Sequence, residues 1–493
     1  MLSWPGSRPH HSSGGLKTLV VGAGEAGRTL ARALRRSPNY GLVPIGFLDD
    51  ARGLVRAVGL PVLGPISALP EIARAKQADA CVVAIPSLPA RRLAEIVETA
   101  RACGLHVRFL PSFLAAVERD ARLSDLRQIR MGDLLGRREL HVVSEKAAAL
   151  ISGRRVLVTG AGGSIGSELC RQINGFGPEA LFLLDHDESN LHGLQLEITG
   201  SGLLDADEII IADIRDERRI DQVFATVRPD LVFHAAAHKH LPLLERHPCE
   251  AVKSNVHGTQ NVLEAAIRHG VSRFVLISTD KAADPTSVLG ASKRLAELVV
   301  QHAAGGPVTL ASVRFGNVLG SRGSFLFVLA DQIARAEPVT VTHPDVSRFF
   351  MTVEEAVGLV LEAAAMAEYA ETFVLDMGEP VQIVDLVRNY AEQLKLPNVE
   401  IRYTGLRPGE KLTEKVFSDA EERVPSVHPK IWATRRTEPP PDFRVLLEHL
   451  YTAAHDGDST LVKDLFQQLV PEYVPSHRQE TLVSAGTPYP DGF

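Results

Sequence analysis

The feature that most restricts this fold is a glycine-spaced turn that occurs twice, each time between an apolar strand and a helix. LKTLVVGAGEAG sets Gly22, Gly24 and Gly27 after one strand, and RRVLVTGAGGSIG sets Gly160, Gly163 and Gly166 after another. Glycines at this spacing make a tight turn that lets a pyrophosphate approach the start of the next helix. In the second copy Ser164 and Ile165 complete the turn, and Asp185 closes the following strand, where a carboxylate can bind the ribose hydroxyls of adenosine. A 2′-phosphate would meet that charge at short range, so NAD is expected over NADP. The first copy has Asp49 and Asp50 in the equivalent place and no reactive group after it. Two readings stay open there: nucleotide binding, or a ligand-free Rossmann domain in a regulatory or assembly role.

The same grammar continues after each turn. Behind the second come ALFLLD, EIIIADI, DLVFHAAA, RFVLIST and VTLASVRFGN, each followed by a helix-length segment. The pattern predicts an α/β chain with two tandem Rossmann-like, doubly wound parallel sheets, the second of six strands. A smaller substrate-covering lobe is expected after Pro338. The expected divisions are a disordered leader over 1–15, a Rossmann-like domain over 16–130 and a charged linker over 131–150. A catalytic domain over 151–437 follows, then a helical extension over 438–493 with helices near Arg444–Ala454 and Thr460–Val470 and a loose tail.

Composition narrows the function. A formal net charge of −7 argues against nucleic acid as a partner. Cys81, Cys103, Cys170 and Cys249 are widely spaced without clustered histidines, so neither a disulfide framework nor a metal site is expected, and a cytoplasmic location fits. No window holds a membrane-length apolar run, and the N-terminus lacks the pattern of a signal peptide.

The chemistry is expected at STDKAADPTSVLGASK, which puts Thr279, Asp280 and Lys281 at the carboxyl edge of the second sheet. A solvated Asp-Lys turn is the alternative for these residues alone. Taken with TGAGGSIGSE, HAAAHKHLPLLE, the helix start at Asn255, RFGNVLGSRGS, SRFFMT and LRPGEKLTE, they occur in the order and approximate spacing of a known family. Over about 132–470 the chain resembles the extended short-chain dehydrogenase/reductases that are nucleotide-sugar 4,6-dehydratases, in the polysaccharide-biosynthesis group acting on UDP-N-acetylglucosamine. The domain before it resembles the extra Rossmann domain of the long, membrane-anchored members. Those carry membrane helices ahead of that domain, and none is visible in this sequence, so a soluble form or a shortened reading is expected.

The resemblance implies NAD as cofactor and a UDP-sugar as substrate, converted to a 4-keto-6-deoxy product, and a homo-oligomer is expected. It implies that Asp280 protonates the leaving C6 hydroxyl, Lys281 takes the C5 proton and Thr279 hydrogen-bonds the sugar. Asp213 and Ile214 would flank the adenine, Ala235, Ala236 and Ala237 would let the cofactor approach, and Lys293 would bind the nicotinamide ribose. Lys239, Asn317, Arg348, Arg407 and Glu410 would contact the nucleotide-sugar. The family's Tyr-x-x-x-Lys element reads Leu289, Gly290, Ala291, Ser292, Lys293, so the usual phenol is missing. Long members with methionine at that place are closer to this chain and imply that dehydration proceeds without it. Lys281, Lys293 or a water chain are left to take the C4 hydroxyl proton. The competing readings are a nucleotide-sugar 4-epimerase and a binding subunit that has lost turnover. A tight Asp280–Lys281 ion pair would oppose the assigned proton transfers, since a base needs a lowered amine pKa.

Overall fold

A computed structural model of the chain describes residues 16–475, apart from 37–41, 52–54, 86–91, 93–95, 97–98, 101, 110–126, 129–142, 201–205, 320–324, 336, 394–398 and 436. The expected leader 1–15, most of the expected linker and the tail from 476 lie outside the described residues. The chain divides into two compact units, one within Met1–Arg130 and one that takes most of the remainder.

In the first unit the strand Leu16–Val21 lies between Leu42–Leu48 and Ala80–Val83 and runs parallel to both. The sheet continues through Leu60–Gly64 and Arg56–Ala57 on one side, and through His106–Phe109 and Arg127–Gln128 on the other. Successive residues of a strand face opposite sides. Leu19, Val21 and Val83 accordingly pack with Leu69 and Ala73 on one face, and Val20 and Val82 with Leu30 and Leu34 on the other.

The second unit is built on nine strands. In spatial order they are Ile209–Ile211, Ala180–Asp185, Arg155–Thr159, Leu231–His234, Arg273–Ile277, Thr309–Arg314, Ala370–Leu375, Ile431–Thr434 and Arg423–Pro425, the last two joining antiparallel. The order reverses at Arg155–Thr159, which is flanked by the later strands Ala180–Asp185 and Leu231–His234. At such a switch point the crossover helices leave a crevice at the carboxyl ends of the strands.

Two sequence expectations change here. The six-strand sheet gains a seventh parallel strand, because Ala370–Leu375 pairs with Thr309–Arg314 rather than joining the lobe. Its helix, Val353–Met366, packs from Ala356 through Ala365 into the main core. Alternation along the chain hides this, since lobe strands are inserted between sheet elements. The lobe keeps the pairs Asn317–Leu319 with Phe350–Thr352, Val339–Val341 with Ile401–Tyr403 and Ser347–Arg348 with Val381–Gln382. It has its own apolar centre around Leu329, Val339 and Leu386. The expected linker also shortens. Residues Glu145–Ile151 form a helix capped by the Ser144 side chain, and Ala147 and Ile151 are buried in the second unit.

The C-terminal helices Phe443–Asp456 and Ser459–Leu469 share a core with Val252, Val256 and Leu295. Beneath the carboxyl edge of the sheet lies a buried ionic cluster. Arg314 pairs with Glu297 at 2.6 Å and Glu421 at 2.7 Å, while Arg294 reaches Glu297 and Glu472, both at 3.2 Å. Buried charges survive only when fully paired, so the cluster fixes where its segments meet more than it adds stability. Ser278 Oγ donates to Glu297 Oε1 at 2.6 Å, which ties the residue before Thr279 into this cluster.

Candidate active site

A cavity of about 1010 Å³ opens at the switch point of the second unit. The glycine turn forms one wall. Gly160 has φ of 67°, and a Cβ there would lie 2.6 Å from the Ala236 nitrogen, while a Cβ on Gly166 would lie 2.0 Å from the Gly160 carbonyl oxygen. Gly163 is the N-cap of the helix Ser164–Gly175, and no side chain caps that helix. A helix start left uncapped by side chains is where a pyrophosphate can be received. Asp185, 7% exposed, accepts hydrogen bonds from the Gly162 nitrogen at 2.9 Å and the Asp187 nitrogen at 3.0 Å. Ser164, Ile165, Asp213, Ile214 and Ala235, Ala236 and Ala237 all line the same cavity. Asp213 is also paired with Arg215 at 2.6 Å, and that hydrogen bond holds its carboxyl below the usual range. The cradle, the small residues and the buried acid fit a dinucleotide.

Asn255 differs from expectation. It sits inside a π-helical turn, Val252–His257, continuous with the helices around it, and does not start a helix. Such turns often occur at functional sites because they rotate one side chain out of register. Asn255 Oδ1 accepts from the His238 nitrogen at 2.8 Å, and Nδ2 donates to the His238 carbonyl at 3.1 Å and to Ser292 Oγ at 3.0 Å. This clamp fixes the loop that carries Ala235 to Lys239 against the helix Val288–His302.

At the reacting end, Thr279, Lys281, Leu289, Lys293 and Asn317 line the cavity. Asp280 does not. It has no exposed surface; its Oδ1 accepts from Thr279 Oγ1 at 2.9 Å and Lys281 Nζ at 3.0 Å, and its Oδ2 has no hydrogen-bond partner and faces the Gly316 backbone. The carboxylate stands behind Thr279 and Lys281. Burial pushes the Lys281 amine down, but the Asp280 carboxylate, helped by Glu414, more than offsets this and its pKa is raised. Lys293 behaves oppositely. Burial lowers its pKa to about 8 with only partial compensation from Glu297, and its Nζ donates to the Ile277 carbonyl at 2.6 Å.

On the lobe side Arg348, Arg407 and Glu410 line the cavity together. Glu410 holds both arginines, Arg348 at 2.9 Å and Arg407 at 3.1 Å. Burial alone would raise the Glu410 pKa; the Arg407 and Arg348 guanidinium groups outweigh it and the pKa is lowered. Arg348 Nη1 also donates to the Ser347 and Leu412 carbonyls, leaving Arg407, more than half exposed, as the more available cation. Lys239 is exposed and also lines the cavity. Sequence reasoning missed Gly162, whose N–H meets Asp185, and Glu414, a buried acid lining the cavity. The signal for Glu414 lay in LRPGEKLTE, four residues beyond Glu410.

Among known families, polysaccharide biosynthesis proteins match residues 156–436 and the CoA-binding domain matches residues 7–111. Over 423 residues, 84% of this chain and 70% of the relative, the chain is 40% identical to the probable polysaccharide biosynthesis protein EpsC of Bacillus subtilis. It is 31% identical over 281 residues to the UDP-N-acetylglucosamine 4,6-dehydratase (inverting) of Campylobacter jejuni, covering 56% of this chain and 80% of that one. It is 32% identical over 276 residues to a UDP-glucose 4-epimerase of Rickettsia rickettsii, covering 54% and 79%. Among solved structures, Pen from Bacillus thuringiensis aligns with a TM-score of 0.53 and 34% identity over 57% of this chain and 88% of that chain.

Proposed function

The chain belongs to the polysaccharide biosynthesis protein family, and from that premise we propose that its second unit dehydrates a UDP-sugar, UDP-N-acetylglucosamine before others, to a 4-keto-6-deoxy sugar nucleotide with NAD as resident cofactor. The observation that carries this reading is the meeting, in one cavity, of a dinucleotide cradle with Thr279 and Lys281 and with the cations of the lobe. Bound NAD would supply the two-electron exchange, accepting the C4 hydrogen and giving it back at C6.

The glycine turn and Asp185 hold the adenosine half, and Lys293 holds the nicotinamide ribose. Arg407 and Arg348, steadied by Glu410, balance the diphosphate charge, with Asn317 and Lys239 binding the sugar. Thr279 donates or accepts at the sugar ring. Asp280 and Lys281, an ion pair at 3.0 Å, serve the elimination together, Asp280 giving a proton to the departing C6 hydroxyl and Lys281 taking the C5 proton. Lys293, with its lowered pKa, is the amine suited to take the C4 hydroxyl proton in place of the absent phenol. Leu289 closes the pocket without taking part. A 4-epimerase shares the cradle but expels no C6 hydroxyl, so the Asp280–Lys281 pair would have no task in it.

The test is substrate carrying deuterium at C4. The expected product is lighter by one water, carries deuterium at C6 and has taken its C5 hydrogen from solvent, with no free NADH building up. A sugar inverted at C4 without loss of water would establish the epimerase instead, and tight NAD binding without turnover would establish a binding subunit.

A further inference from the structure

Glu414 is 4% exposed and lines the cavity, and its Oε2 receives no hydrogen bond. Lys411 Nζ stands 3.7 Å from that oxygen and donates instead to the Ala283 carbonyl at 3.1 Å. A buried carboxylate oxygen without a donor is costly, and the cost is recovered when a bound molecule brings one. The position of Glu414 is fixed from both sides. On one side the Ser347 nitrogen donates to the Leu412 carbonyl at 2.8 Å, and the Ser347 and Thr413 hydroxyls meet at 2.8 Å. On the other, Thr286 Oγ1 donates to the Gly409 carbonyl at 3.0 Å. One stretch of chain therefore carries Arg407 and Glu410 and then, four residues on, Glu414, whose charge is felt at the Lys281 amine.

Resting on the reading that a UDP-sugar fills this cavity, we propose that Glu414 is a substrate-binding residue that selects the hexose. Its Oε2 accepts a hydrogen bond from a donor that the reaction leaves in place, the O–H at C3 or the acetamido N–H at C2. The other two hydroxyls of the hexose do not suit it. The C4 hydroxyl becomes a ketone and the C6 hydroxyl departs as water, so neither offers a donor through the whole cycle. Removal of the C5 proton also moves negative charge onto the oxygen at C4, and a carboxylate facing that oxygen would oppose the step. The substituents at C2 and C3 keep their donors from binding to release. An ionised carboxylate only accepts, so a hexose without a donor at that place leaves it buried and unpaired. A site of this kind discriminates more strongly than an apolar contact does.

The test is binding to the protein loaded with NADH, which cannot oxidise the sugar. The ligands are UDP-N-acetylglucosamine, its 3-deoxy analogue, UDP-2-O-acetylglucose, in which an ester oxygen replaces the amide nitrogen, and UDP. The parent is expected to bind one of the two analogues about 10- to 100-fold more weakly than the full substrate, and the analogue that suffers identifies the donor. Glu414→Leu is expected to bind the full substrate more weakly by a similar factor and to bind that analogue within about threefold of it. UDP carries no hexose, so its affinity is expected to stay within about threefold in the variant. Should Glu414→Leu fail to fold, Glu414→Gln is read in its place, with the discrimination expected to fall at least threefold. A parent that binds both analogues within about threefold of the full substrate overturns the assignment before any variant is made. So does a variant that discriminates as the parent does, or one that loses UDP together with the sugar, since that loss marks a collapsed segment. Binding is read apart from turnover, so a parent that discriminates the donor but expels no water sinks the dehydratase reading alone.

Discussion

In both units a glycine with positive φ follows the first strand, Gly22 at 99° and Gly160 at 67°. In both, a Cβ on the last glycine of the turn would strike the carbonyl oxygen of the first, at 1.9 Å for Gly27 and 2.0 Å for Gly166. In both, an acid from the end of the second strand takes a turn N–H: Asp49 from Ala23 at 2.5 Å and Asp185 from Gly162 at 2.9 Å. The surroundings then part. Gly160 is faced by Ala235 and Ala236, and the strand Arg273–Ile277 leads to Thr279 and Lys281 in the same cavity. Gly22 is faced by the Ala84 carbonyl and by Ile85, and among the described residues no later strand of its sheet leads to a comparable acid and amine. The turn specifies a backbone, and what the remaining strands deliver to it specifies the chemistry.

The comparison breaks most visibly at the glycines. Gly166→Ala puts a methyl group where the Gly160 carbonyl stands, so the turn must shift, and misplacement of about 1 Å in a reacting complex costs about 10² in rate. Turnover and NAD retention are expected to fall by that factor or more. Gly27→Ala creates the same collision in the first unit and is expected to lower the stability of that unit while leaving turnover within about threefold. Steady-state kinetics on the two variants decide it. An equal loss from both would mean that the first turn also serves the reaction.

How much of this was legible depended on whether the governing physics is local. The glycine turns, the strands beside them and the helix Phe443–Asp456 follow from spacing and apolar periodicity within a dozen residues. The assignment of Ala370–Leu375 to the main sheet depends on pairing with a strand far away in sequence, which no window contains. The same limit applies inside the site. Thr279, Asp280 and Lys281 were found as neighbours in sequence, but adjacent residues turn to different sides, and only the fold shows that Thr279, Lys281 and the buried Glu414 line the cavity while Asp280 does not. Leu289, which breaks the expected tyrosine pattern, does line the cavity at 5% exposure, so the departure read from sequence is a departure in the site.

The two acids sharpen the comparison at a smaller scale. Asp185 lies in the cavity and would oppose a 2′-phosphate; a unit pair of like charges costs up to about 4 kcal/mol at an effective dielectric near 20, and solvent reduces this. NAD is therefore expected to be preferred over NADP by about tenfold to a hundredfold. Asp185→Asn, which keeps the shape and removes the charge, is expected to bring the two within about threefold. Asp49→Asn is expected to leave the preference as it was, because Asp49 belongs to the turn of the other unit. Cofactor titration of the stripped proteins gives the ratios directly, and equal binding in the parent would remove the role given to Asp185.

The smallest expected effect isolates a group that, among the described residues, the second unit has and the first does not, a buried lysine. Lys293 is faced by Glu297 on its own helix, by neutral His234 from the neighbouring strand, whose pKa burial lowers to about 3, and by the Ile277 carbonyl. Its pKa falls from 10.5 to about 8 on folding. Between these values the unfolded chain holds a proton that the folded chain has released, so stability rises with pH across that window. A lysine with a raised folded pKa, such as Lys281, contributes with the opposite sign, and only as pH climbs past its unfolded value. From about pH 7 to pH 9 the Lys293 contribution is on the order of 1 kcal/mol, since half the release is complete near pH 8. Urea unfolding of the parent and of Lys293→Met over that range should show the difference. The parent gains stability relative to the variant as pH rises; a difference that is flat, or that falls, would mean Lys293 keeps its proton in the folded chain and cannot receive the one from C4.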